Sequence, residues 1–81
     1  MMNLCTVLED IAKGIVDHPE DVKVTQDEEL APDGSINLTL SVAESDMGMI
    51  IGKHGKIARA IRTVMKAAAR TTDQKVNVEI K

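Results

Sequence analysis

No Phe, Trp or Tyr occurs anywhere in the 81 residues. Any fold this chain adopts must fill its interior with Ile, Leu, Val, Met and Ala. The same absence bears on function. RNA-binding sheets that stack bases on aromatic side chains, such as RRM and cold-shock domains, are nearly excluded. The length fits one domain, residues 1–81, with a modest core and little room for a deep catalytic cavity.

Hydrophobic periodicity then sets the elements. Leu4, Val7, Leu8, Ile11 and Ile15 recur at helical spacing with Glu9, Asp10 and Lys13 between them, which predicts an amphipathic helix ending near Val16 to Asp17. The segment His18 to Asp21 reads as its stop, because Pro19 disfavours a helical conformation at His18. Val22, Val24 and Gln26 alternate with polar residues, and so do Ile36, Leu38, Leu40 and Val42. These are two half-buried strands joined through the turn cluster Ala31 to Gly34, expected to pair as an antiparallel hairpin. Ser45 or Asp46 is expected to cap a short helix through Ile51. A long helix is expected from about Lys56 to Arg70, then a last strand with Val76, Val78 and Ile80 inward. The order α-β-β-α-α-β, with a three-stranded mixed sheet and three helices packed on one face, is an α+β layer fold.

Cys5 stands alone, so no internal disulfide forms, and its apolar surroundings suggest a small packed hydrophobe. A secreted disulfide scaffold is excluded and a reducing cytoplasm is expected. No apolar run approaches the ~20 residues of a membrane helix, and the acidic start is unlike a signal peptide. The two histidines, His18 and His54, have no Cys or acid at metal-ligand spacing, and no nucleophile–base pair is visible. The expectation is a binding protein without cofactor, metal or catalytic residues.

Charge is strongly segregated. Residues 1–46 hold eleven acids and two bases, a net of −9, whereas residues 47–81 hold eight bases and two acids, a net of +6. No acid occurs from Met47 to Thr72. Such a field attracts an anion to one face of a molecule that is acidic overall. The plainer alternative is that the two halves neutralise one another across the fold.

The segment GKHG, residues 52–55, concentrates the question. A phosphate-binding P-loop is excluded by the spacing, since Lys56 is followed by Ile57 and no later acid suits the metal. A DNA-reading helix-turn-helix fits poorly, because Ile57, Ala58, Ala60, Ile61, Val64 and Met65 leave few side chains to read base edges. Two readings remain open. One is an ordinary turn between helices, in which glycine supplies backbone freedom and the charges are incidental. The other is a clamp, in which two bare glycines admit a sugar-phosphate chain and the loop and helix N–H groups carry positive charge toward it.

The run I-I-G-K-H-G-K-I-A-R-A-I, residues 50–61, resembles the KH signature I-G-x-x-G-x-x-I. The element order resembles the type II, prokaryotic KH arrangement. Nearly the whole chain resembles the bacterial KH-domain protein A family of small, free-standing RNA-binding proteins. The resemblance implies single-stranded RNA as partner, held over about four nucleotides, and a role as RNA chaperone or post-transcriptional regulator. It implies that Gly52, Lys53, His54 and Gly55 form the backbone clamp. Ile50 or Ile51 would line the groove, with one of the pair in the core, and Lys56 and Arg59 would reach phosphates. It also implies homodimers, or heterodimers with a Jag-like KH protein.

Two further features bear on partners. Arg59, Arg62, Lys66 and Arg70 form one stripe along the long helix, read either as extended RNA contact or as a solvated face. The apolar positions of that helix span an arc of roughly 200°, wider than the ~100° stripe of an ordinary surface helix. The edge from Val64 to Ala68 is thus a candidate for joining a second chain. The rival to the RNA reading is a protein-interaction module in which GKHG is only a turn, and a ribosome-associated assembly role is a variant of the RNA reading.

Overall fold

The computed structural model describes residues 3–81, and of Lys53 only the backbone. Helix α1 spans Leu4–Ile15. Asn3 caps it, its side-chain oxygen accepting the Cys5 N–H at 2.9 Å, which satisfies one of the N–H groups orphaned at a helix start. Leu4, Leu8 and Ala12, spaced by four, form its buried edge. At Val16 the backbone becomes extended. His18, held off helical geometry by the following proline, leads into a short 3₁₀ turn, Pro19–Asp21.

Strand β1 (Lys23–Gln26) runs antiparallel to β2 (Ile36–Ser41), with Val24 opposite Leu40 and Gln26 opposite Leu38. The connection closes through a turn in which the Gly34 N–H donates to Ala31 O at 2.8 Å. Gly34 has φ +86, a conformation that glycine adopts without a Cβ penalty. Strand β3 (Val76–Ile80) lies parallel to β2, so the sheet order is β1-β2-β3. Alternation places Leu38, Leu40 and Val76 inward, while Asn37 and Asn77 meet on the outer face, Asn77 Nδ2 donating to Asn37 Oδ1 at 3.1 Å.

A single helical span, α2 (Glu44–Thr71), connects β2 to β3. It is not one straight helix. His54 and Gly55 take φ of +63 and +70, two consecutive left-handed residues that no right-handed helix accommodates. They divide α2 into a first arm up to residue 53 and a second arm from residue 56, and these with α1 are the three helices of the expected layer fold. The core lies between helices and sheet. Leu8, Leu38, Leu40, Ile50, Ile61 and Met65 are its largest fully buried side chains, each contributing about 1.5–3 kcal/mol by removal from water. Cys5 is half-buried against this core.

The start of α2 differs from the expectation that Ser45 or Asp46 caps it. Ala43 occupies the cap position with no side-chain bond. Asp46 lies in the first turn, is 2% exposed, and accepts the N–H groups of Asp17 and His18, each at 3.1 Å. Its carboxylate therefore satisfies the backbone where α1 ends and ties that end to the first arm of α2.

Candidate nucleic-acid interface

The segment Gly52–Gly55 ends the first arm and turns, at His54 and Gly55, into the second, and both arms are anchored. Ile50 is fully buried and fixes the first arm, and Ala58, Ile61, Met65 and Ala69 are buried at helical spacing and fix the second. Adjacent helical residues point about 100° apart, so burying Ile50 turns Ile51 outward, where it is 50% exposed. Of the two isoleucines expected at the groove, Ile51 is at the surface and Ile50 is in the core.

His54 and Lys56 are exposed, and Gly52 and Gly55 are half-buried. The two glycines have different physical reasons. Gly55 is left-handed, which a side chain rarely tolerates. Gly52 has no such conformation, and among the described residues a Cβ built on it meets no heavy atom within 4 Å. None of the described residues demands a glycine there. A glycine in a helix costs roughly 0.5–1 kcal/mol relative to alanine, and no internal contact offsets it. Beyond the turn a helix restarts, and the first N–H groups of a helix lack intrahelical acceptors and form its positive end.

The second arm carries the basic stripe toward β3. Ile36 N donates to Lys75 O and Lys81 N to Leu40 O, both at 2.9 Å. Those bonds fix the alternation of the parallel ladder, so the N–H and C=O groups of Val76, Val78 and Ile80 point away from β2 to the open edge. Arg62 spans the gap, its Nε donating to Val78 O at 3.1 Å. It is thus a strut between α2 and β3 and not merely a solvated charge. Arg59 is exposed on the loop side of Arg62, and Lys66 and Arg70 lie on its far side.

Past Arg62 the stripe reaches a cavity of about 460 Å³ lined by Lys66, Arg70, Lys75, Gln74, Asn77 and the acids Asp33 and Asp73. Ser35, through its hydroxyl and its backbone N–H, holds the Asp33 carboxyl below the ordinary 3.8, with a smaller contribution from Lys75. The break between the long helix and the last strand was expected from the sequence, but Lys75 gave no signal as a site residue. Its placement comes from the α2 ending. Asp73 takes φ +57, and the N–H groups of Asp73 and Gln74 return to Arg70 O at 3.1 Å and Ala69 O at 2.9 Å, a Schellman cap with Asp in the position glycine usually fills.

Among the described residues no group of three or more His, Cys, Asp or Glu is placed to hold a metal, and no helix is long and apolar enough to cross a membrane.

In overall shape the chain superposes on part of a crystal structure of Era from Aquifex aeolicus bound to GDP and aluminium fluoride, with a TM-score of 0.70. The match covers 95% of this chain and 29% of that one, at 17% sequence identity, so it speaks to the fold alone. Residues 6–80 match the profile of the KH domain of KhpA and KhpB. The chain belongs to this KhpA/KhpB KH-domain family. It is 54% identical over 74 residues to the RNA-binding protein KhpA of Clostridium perfringens, covering 91% of this chain and 95% of the relative. It is 49% identical to the RNA-binding protein KhpA of Listeria monocytogenes over 86% and 88% of the two chains, and 46% identical to that of Bacillus subtilis over 86% and 83%.

Proposed function

We propose that this chain is an RNA-binding KH protein that grips the backbone of single-stranded RNA at GKHG, acting in the cytoplasm as a chaperone or post-transcriptional regulator. The observation that carries the proposal is Gly52: a glycine without internal cause, beside a left-handed turn, in a stretch from Met47 to Thr72 that holds no acid. The relatives named as RNA-binding proteins support it. In this reading Gly52 and Gly55 admit the sugar-phosphate chain, Lys53 and Lys56 supply charge, and His54 supplies a donor. Ile51 is an apolar floor for bases, Ile50 its buried support, and Arg59 the next phosphate contact. The deciding experiment measures binding of a labelled RNA pool to the native chain and to Lys53→Asp/His54→Asp, with circular dichroism to verify folding. A loss of about tenfold or more is expected, together with a flatter dependence on salt, because each phosphate of a single strand left without its cation removes about 0.7 from the slope. Equal affinity with intact fold rejects the clamp.

A second surface supports pairing with another chain. Val64 is 49% exposed, and with Ile11, Ile15, Ile57, Ala60 and Ile61 it lines a wholly apolar trench between α1 and the second arm. We assign it to a second copy of this chain or to a Jag-like KH partner. Light scattering at micromolar concentration reads the homodimer, and a monomer unaffected by Val64→Asp rejects it.

A further inference from the structure

We infer that the cavity at the far end of α2 is a second phosphate subsite for the same RNA strand, so that the protein holds more nucleotides than the GKHG loop alone. This rests on the clamp proposed above and extends it along the second arm. Lys66 and Arg70 enter the cavity from α2 and Lys75 enters from the loop before β3. Cations from two separate elements therefore converge on one concave space, which a solvated helix face does not require. Gln74 and Asn77 complete the lining, with the Asn77 amide turned to the outer face, where its Nδ2 donates to Asn37 Oδ1. Thr72 Oγ1 lies 2.8 Å from Gln74 Oε1 and 3.0 Å from Ala69 O, and its single proton serves one of the two.

The acids of the cavity do not cancel this arrangement. Asp33 is engaged by Ser35, whose N–H it accepts at 3.0 Å. Asp73 is the αL residue of the cap. Three cations face these two carboxylates, and the acid-free run from Met47 to Thr72 continues the positive field back to the loop. The subsite also lies on the right path. Arg59, Arg62, Lys66 and Arg70 fall on one helix face, and Arg62 Nε marks where that face meets the open edge of β3. From Lys56 to Arg70 the helix rises about 21 Å. A strand leaving the clamp along this wall passes Arg59, then Arg62, and reaches the cavity.

The test uses the full chain and two labelled oligouridylates, of four and eight nucleotides, titrated by fluorescence anisotropy. The native chain is expected to bind the longer oligomer about tenfold more tightly. Lys66→Gln/Arg70→Gln is expected to remove that increment, to lower the salt slope for the longer oligomer by about 0.7 for each phosphate no longer neutralised, and to leave the shorter one unchanged. Lys66→Arg/Arg70→Lys, which keeps the charge, is expected to retain most of the increment. An increment unaffected by the Gln pair, or an equal loss for both lengths, overturns the subsite. Failure of the clamp reads differently. Lys53→Asp/His54→Asp that leaves the four-nucleotide affinity intact rejects the clamp, while the length increment still decides the cavity.

Discussion

If Gly52 serves the proposed clamp and not the fold, Gly52→Ala should move stability and RNA affinity in opposite directions. The added methyl meets no heavy atom of the described residues within 4 Å, and the backbone there needs no positive φ. The substitution therefore introduces no clash and no strain. It removes the conformational freedom that glycine brings to the unfolded chain, worth about 0.5–1 kcal/mol in favour of the fold. For a domain of this size that raises the midpoint of thermal unfolding by about 2–8 °C. If the bare backbone at residue 52 is where RNA approaches, the same methyl holds the strand away and lowers affinity about tenfold or more, equivalent to about 1.4 kcal/mol. Scanning calorimetry and RNA anisotropy on one preparation give both numbers. Gly14→Ala is the control, since Gly14 is exposed in the last turn of α1 with the same open surroundings. It should give a smaller stabilisation and unchanged binding. A Gly52→Ala protein that is more stable and binds RNA as tightly as the native chain would refute the argument.

Asp46→Ala should destabilise the fold by about 1–3 kcal/mol in urea titration, because it strips the Asp17 and His18 N–H groups of their acceptor; Asp46→Asn, keeping one oxygen, should recover part of the loss. Asp73→Gly should stabilise by about 1 kcal/mol by relieving the left-handed position at the end of α2, read as a rise in the thermal midpoint. Asp33 has a folded pKa below 3.8, held there by Ser35, so it favours the fold above the unfolded value. That contribution fades as pH falls through the folded pKa. Acid titration of Asp33→Asn should therefore show a shallower loss of stability below pH 3.8 than the native chain, and identical acid limbs would exclude the assignment.

Elements whose cause is local were readable from the sequence. The alternation in Ile36, Leu38 and Leu40 marked β2, the helical spacing of Leu4, Leu8, Ile11 and Ile15 marked α1, and the paired glycines marked the break in α2. What escaped notice depends on partners distant in the chain. Asp46 looked like a helix cap because capping is judged from neighbours, yet its acceptor atoms serve residues 28 and 29 positions earlier. Arg62 looked like one member of a solvated stripe because its partner, Val78 O, belongs to a strand that the stripe's spacing does not reveal. The choice between Ile50 and Ile51 is likewise tertiary: both are apolar, and only the orientation of the first arm decides which faces the sheet. At the candidate site, the motif located the loop, but the cavity built from Lys66, Arg70 and Lys75 needed the turn at Asp73 to bring a loop lysine beside two helical cations.

The wholly aliphatic interior has a practical consequence for studying any complex. With no indole, phenol or phenyl ring in the chain, the protein is almost silent in the near ultraviolet, where nucleobases absorb strongly. Hypochromicity and circular dichroism in that band report on the nucleic acid alone. Whether bases unstack on binding can thus be watched directly, without a label and without subtracting the protein.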